Sequence, residues 1–105
     1  MQDITKEQWK EQVAANPDAV ILDVRTLEEV EEGIIPGALH HDIHNPQGFM
    51  DAINAMDASK SYYVYCRSGG RSGQACQIMN QMGIENTYNL LGGFSNWDGD
   101  VAELS

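Results

Sequence analysis

The run Val20-Ile21-Leu22-Asp23-Val24 constrains the fold more than any other feature of the chain. It is β-branched and aliphatic with little polar alternation, which suits a strand covered on both faces rather than one exposed to water. A second run, Tyr62-Tyr63-Val64-Tyr65, has the same character, and segments of helical periodicity lie between and after the two. Buried strands joined by helices long enough to return the chain pair in parallel. The alternation predicts an α/β layer structure with a central, mainly parallel sheet.

The boundaries of the other elements follow from caps and breakers. Thr5 with Gln8 and Thr26 with Glu29 each form a capping box, so helices are expected to start there, with Ile4 stapled onto Trp9 in the first. Asn16-Pro17 ends the first helix and Gly33 the second. Ala38 to His41 is a candidate short strand. Asn45-Pro46 opens a third helix, with Pro at the first helical position and Phe49, Met50, Ile53 and Met56 expected inward. A further helix carries Ala75, Ile78, Met79 and Met82 and stops at Gly83, Asn86 to Leu91 reads as a last strand, and Gly92-Gly93 leads into a terminal turn with Phe94 and Trp97.

With 105 residues, the chain is expected to form one domain spanning 1–105, large enough for an ordinary apolar core. Its two cysteines, Cys66 and Cys76, are too few for a disulfide framework and lack metal-knuckle spacing, which suggests a reduced, cytoplasmic setting. No stretch approaches a membrane span and the first residues carry no secretory apolar run. A formal net charge of -10 argues against nucleic acid and anionic membranes as partners. That charge is unevenly placed: residues 1–57 carry -9, residues 58–84 carry +3 with no carboxylate side chain, and residues 85–105 carry -4.

Inside the positive window, Cys66-Arg67-Ser68-Gly69-Gly70-Arg71-Ser72 follows a buried strand and opens a helix. Ligand sites of open α/β sheets lie at that carboxyl edge. Gly69 and Gly70 permit a backbone cradle whose N–H groups converge, Ser68 and Ser72 offer hydroxyls, Arg67 and Arg71 add charge, and the helix N-terminus adds its dipole. These surroundings favour a Cys66 thiolate, hence a nucleophile, and attract an anion. A structural cysteine is the competing reading, and glycines, serines and arginines weigh against it. Cys66 to Arg71 is Cys-x4-Arg, one residue shorter than the Cys-x5-Arg loop of cysteine phosphatases. The tighter ring suits one extra sulfur on the cysteine better than a tetrahedral phosphate, which disfavours a phosphatase or arsenate reductase.

Four segments in order resemble a single-domain rhodanese, a small sulfurtransferase: Ile21-Leu22-Asp23-Val24-Arg25 with Glu29, Gly33-Ile34-Ile35-Pro36-Gly37-Ala38, the Cys66–Ser72 loop, and Leu91-Gly92-Gly93-Phe94-Ser95-Asn96-Trp97. Ile34 stands where that family usually has His and Val30 where an aromatic is common, which implies altered packing outside the loop. The resemblance implies a three-layer sandwich around a five-stranded sheet with helices on both faces. It also implies catalysis by Cys66 as a persulfide carrier, substrate binding by Arg67, Ser68, Gly69, Gly70, Arg71 and Ser72, and no metal or organic cofactor. The donor would be a small anion. The double charge of Arg67 and Arg71, which the loop of the related mercaptopyruvate enzymes lacks, favours thiosulfate. The acceptor would be cyanide, a low-molecular-weight thiol or an acceptor protein, and the chain a monomer or weak homodimer. A sulfur-relay or protein-binding module without turnover is the alternative.

Other candidates read more simply. His40, His41 and His44 lie close together, but neighbours on a strand face opposite ways, so they suit turns better than a metal. Asp23 and Arg25 are expected to pair with the neighbouring helix and brace the fold. Cys76 is expected in the core, with a resolving role toward Cys66 left open, and Glu28 to Glu32 form a solvated face.

Overall fold

The computed structural model describes residues 1–104. Along the chain run β1 (Gln2–Ile4), α1 (Lys6–Ala15), β2 (Val20–Asp23), α2 (Leu27–Glu31), β3 (Leu39–His40), α3 (Pro46–Asn54), β4 (Tyr62–Tyr65), α4 (Gly70–Gln81) and β5 (Thr87–Leu90), then a 3-10 turn at Phe94–Asn96. The strands form one sheet in the order β1-β5-β4-β2-β3, and every pairing between them is parallel. β4 lies at the centre with all four side chains buried, as its composition predicts.

Alternation along the strands divides the core in two. Tyr62 and Val64 of β4 and Leu22 of β2 pack with Phe49 and Ile53 of α3 and Ala75, Cys76 and Met79 of α4. Tyr63 and Tyr65 point the other way, where Trp9 and Val13 of α1, Ile4, Leu90, Phe94 and Trp97 cover them. Trp9 lies nearly perpendicular to both tyrosine rings, with centroids 5.5 and 6.0 Å away. Helices therefore cover both faces of a five-stranded sheet, the three-layer arrangement expected above.

The caps are those read from the sequence. Both threonine capping boxes form, and Asn45 accepts from the Gly48 amide with Pro46 at the first helical position. Ile4 and Trp9 lie in one cluster, consistent with the staple.

Three details differ from expectation. β1 occupies the residues read only as the approach to α1, because its pairing with β5 depends on chain more than eighty residues away. Met50, expected inward, is 37% exposed. Phe49 and Ile53, four residues apart, define the buried stripe of the short α3, and Met50 is turned about 100° from it. Met56 lies beyond the helix but still packs against the core. Val30 and Ile34 are both buried, and Ile34 bridges antiparallel to Ala102.

Candidate active site

The carboxyl ends of β2, β3, β4 and β5 share one edge of the parallel sheet, and Cys66 is the first residue beyond β4. Gly69 is the N-cap of α4 in a left-handed conformation (φ 109°) and has no side chain to cap the helix. The sulfur of Cys66 stands in for that cap. Gly69 N–H donates to Sγ at 3.1 Å, and the Ser72 hydroxyl lies 3.3 Å from it. Cys66 is only 1% exposed, so the loop rather than bulk water governs its proton. Burial alone would push the thiol up. The Ser72 hydroxyl, with the amides of Ser72, Gly69 and Ser68, outweighs this and holds it below the ordinary cysteine value.

The closing segment sets the loop's shape. Phe94 N–H donates to the Cys66 carbonyl at 2.9 Å and Ser95 N–H to the Arg67 carbonyl at 3.0 Å, fixing both carbonyls on the closing segment. This requires close approach at Gly93, where a Cβ would stand 2.5 Å from the Arg67 oxygen and 2.6 Å from the Cys66 oxygen. The paired glycines after β5 are thus a steric part of the cysteine loop.

The two arginines differ in role. Arg71 makes a two-pronged contact with Glu29, Nη1 to Oε1 at 2.6 Å and Nη2 to Oε2 at 2.9 Å. Arg71, first among several causes, holds the Glu29 carboxyl down at about 2. The +3 window in the sequence therefore overstates the local charge, because α2 folds an acid onto one of its three cations. Arg67 is exposed, forms no ion pair among the described residues, and lines a cleft of about 230 Å³ with Arg25, Glu29, Glu32, Phe94 and Ser95. Ser68 and Gly70 are exposed on the loop, Gly69 is half-buried, and Ser72 is fully buried.

Asp23 and Arg25 brace the edge, but through each other rather than through helix side chains. Arg25 Nη2 donates to Asp23 Oδ2 and to the Gly33 carbonyl, both at 2.7 Å, and its guanidinium lies 4.4 Å from the Phe94 ring centre. Tyr65 accepts from the Ile35 amide at 3.0 Å, and burial first, then Asp23, pushes its hydroxyl well above the ordinary tyrosine value. His40 Nε2 donates to the Arg25 carbonyl at 2.7 Å, and no group of three potential ligands is arranged for a metal among the described residues. Cys76 is fully buried, and burial pushes its thiol up to about 12.

One residue near the sulfur was not anticipated. Asn89 of β5 accepts from Ser72 Oγ at 2.5 Å and donates to Asp3 Oδ1 at 2.9 Å and the Gly69 carbonyl at 3.2 Å. Asparagine is depleted in strands, so an Asn inside Thr87-Tyr88-Asn89-Leu90 was the available signal.

A fully parallel five-stranded sheet with helices on both faces, and an amide-lined cysteine loop at its carboxyl edge, define the rhodanese-like class of α/β domains. The sequence profile of the rhodanese-like domain matches residues 5–100, and the chain belongs to that family. It is 35% identical over 95 residues to a sulfurtransferase of Allochromatium vinosum, covering 90% of this chain and 86% of that protein. Thiosulfate sulfurtransferase GlpE of Glaesserella parasuis is 30% identical over 96 residues, covering 90% of this chain and 84% of that one. A rhodanese-like domain protein from Staphylococcus aureus superposes with a TM-score of 0.86 at 29% identity, over 100% of both chains.

Proposed function

We propose that the chain is a sulfurtransferase that carries a sulfane sulfur from thiosulfate, or a similar anionic donor, on Cys66. The observation that carries this reading is the Cys66 sulfur under the Gly69 amide and Ser72 hydroxyl, 3.1 and 3.3 Å away, in a loop one residue too short for a phosphoryl group. The thiolate attacks the outer sulfur of thiosulfate, the S–S bond breaks, and sulfite leaves with the bonding pair. The product is a persulfide anion whose charge the loop amides of Ser68, Gly69, Gly70, Arg71 and Ser72 stabilise. Cyanide, or a thiol, then takes the outer sulfur and returns the thiolate. Arg67 is the cation that draws the donor in, and Arg71, tied to Glu29, acts chiefly by its field.

The relatives named for sulfur transfer support the transferase class, and the thiosulfate assignment follows from charge and loop size. The test is the mass of the purified protein before and after thiosulfate. One added sulfur on Cys66, removed by cyanide with thiocyanate formed, is expected. No added sulfur and no thiocyanate would sink the reading, as would a Cys66→Ser variant that still produced thiocyanate.

A protein acceptor is favoured by a separate observation: Leu27 and Leu91, 54% and 46% exposed, follow β2 and β5 at the edge where Cys66 lies. Under that reading the persulfide forms and persists, cyanide turnover is poor, and sulfur passes to a cognate protein.

A further inference from the structure

The hydroxyl of Ser72 has one proton and two groups asking for it. Cys66 Sγ is 3.3 Å away and Asn89 Oδ1 is 2.5 Å away. The Asn89 amide cannot turn to relieve this competition. Its nitrogen already serves two acceptors, Asp3 Oδ1 and the Gly69 carbonyl, and a flipped amide would set its oxygen against both. Oδ1 is therefore fixed toward Ser72 as an obligate acceptor.

We infer that Asn89 is a positioning residue that sets the ionisation of Cys66 by competing for the Ser72 proton. In the thiol state a continuous chain is satisfied: Cys66 S–H donates to Ser72 Oγ, and Ser72 O–H donates to Asn89 Oδ1. A thiolate only accepts. When the cysteine ionises, the Ser72 proton must swing to Sγ, and Asn89 Oδ1 loses its donor at a buried site, where an unmet acceptor is costly. The serine thus helps the thiolate while the asparagine restrains it, and the residual bias is the difference between the two. This keeps part of the cysteine as the thiol, less readily oxidised than the thiolate, while no donor is bound. The inference depends on the ionisation of Cys66 alone and stands whether the sulfur is transferred from thiosulfate or from another donor.

Other charges face Cys66. Arg67 follows it in the chain; Arg71 on α4 feels its charge, with Glu29 of α2 and Asp42 around that arginine; Asp3 of β1 lies beyond Asn89, and Cys76 is on the same helix. Substitution at 72 leaves all of these in place, and substitution at 89 releases only Asp3, alike on both Ser72 backgrounds, so the difference between backgrounds reports on the shared proton.

The measurement is the pH dependence of Cys66 alkylation by iodoacetamide, with circular dichroism confirming the fold. Ser72→Ala should raise the apparent pKa of Cys66 by about one unit, and Asn89→Leu, close in shape but without an acceptor, should lower it by about one unit. On the Ser72→Ala background, Asn89→Leu should shift it by less than half as much. A purely structural role for Asn89 would shift the pKa equally on both backgrounds or raise it by loosening the loop. Either result overturns the inference, as does no shift at all. If the leucine variant fails to fold, Asn89→Ala removes the same acceptor with less volume and no new charge. It should lower the pKa while Ser72 is present and lower it by less than half as much in Ser72→Ala; a rise, or equal falls, overturns the inference.

Discussion

Replacing Glu29 with Gln separates the two jobs of the Arg71–Glu29 pair. Glu29 is held at about 2 against an ordinary value of 4.5, first by the Arg71 guanidinium and then, against the opposing effect of burial, by the Thr26 amide. Taken at face value, that displacement is worth roughly 3 kcal/mol. The side chains of Arg71 and Glu29 are 24% and 23% exposed, so solvent screening reduces the figure to about 1–2 kcal/mol. Because the folded-state value is depressed, the stabilisation is complete above pH 4.5 and is lost as pH falls toward 2.

Glu29→Gln should therefore lower the midpoint of thermal unfolding at pH 7 by about 5–10 °C, given the entropy of unfolding of a domain this size. The gap from the parent should shrink by more than half between pH 5 and pH 3, where Glu29 of the unfolded parent takes up its proton while the folded one still holds its charge. The same substitution releases a cation beside the cysteine, so the alkylation pKa of Cys66 should fall and the KM for thiosulfate should drop at low ionic strength. Calorimetry across pH, followed by the alkylation and cyanide assays, reads all three. A stability gap independent of pH would refute the assignment of the interaction to an ionised Glu29. A raised cysteine pKa would show that Arg71 works only when the glutamate orients it.

Gly93→Ala should destabilise the domain by about 2–3 kcal/mol through a left-handed backbone and the contacts a Cβ would make with the Cys66 and Arg67 carbonyls, seen as a lower urea midpoint and slower Cys66 alkylation. Gly70→Ala is the control: open space surrounds that position, so stability should stay within about 0.5 kcal/mol of the parent. Arg25→Leu leaves the fully buried Asp23 without its cation and should cost about 3–5 kcal/mol by chemical denaturation. Native alkylation at pH 8 should place one adduct on Cys66 and none on Cys76, whose thiol is pushed up to about 12; peptide mapping by mass spectrometry decides it.

The sequence carries local information well, and most of this fold is local in that sense. Thr5, Thr26 and Asn45 cap their helices because a short polar side chain needs only the next turn of backbone to find its partner. The burial of β4 is equally legible, since three tyrosines and a valine leave no side for water. β1 is not, because three residues become a strand only when β5 is present to pair with them. The same limit applies at the site. The spacing from Cys66 to Ser72 places the glycines, the hydroxyls and the helix start, all within one turn of chain.

Charge is where reading along the chain fails most instructively. A window without carboxylates between residues 58 and 84 implies two free arginines at the cysteine. In space Glu29 lies on one of them, brought there by a capping box that the sequence does reveal but whose second use it does not. Glu29 Oε1 accepts from both Thr26 and Arg71, so the residue that starts α2 also positions a guanidinium beside the loop. Asn89 repeats the pattern from the opposite side: a poor strand former, tolerated in β5 because it holds Asp3, the Gly69 carbonyl and the Ser72 hydroxyl together. In both cases a residue that local propensity explains only partly is accounted for by a partner distant in sequence, and both partners end at the cysteine loop. The electrostatics of Cys66 are therefore set by the packing of α2 and β5 against that loop as much as by the loop's own seven residues.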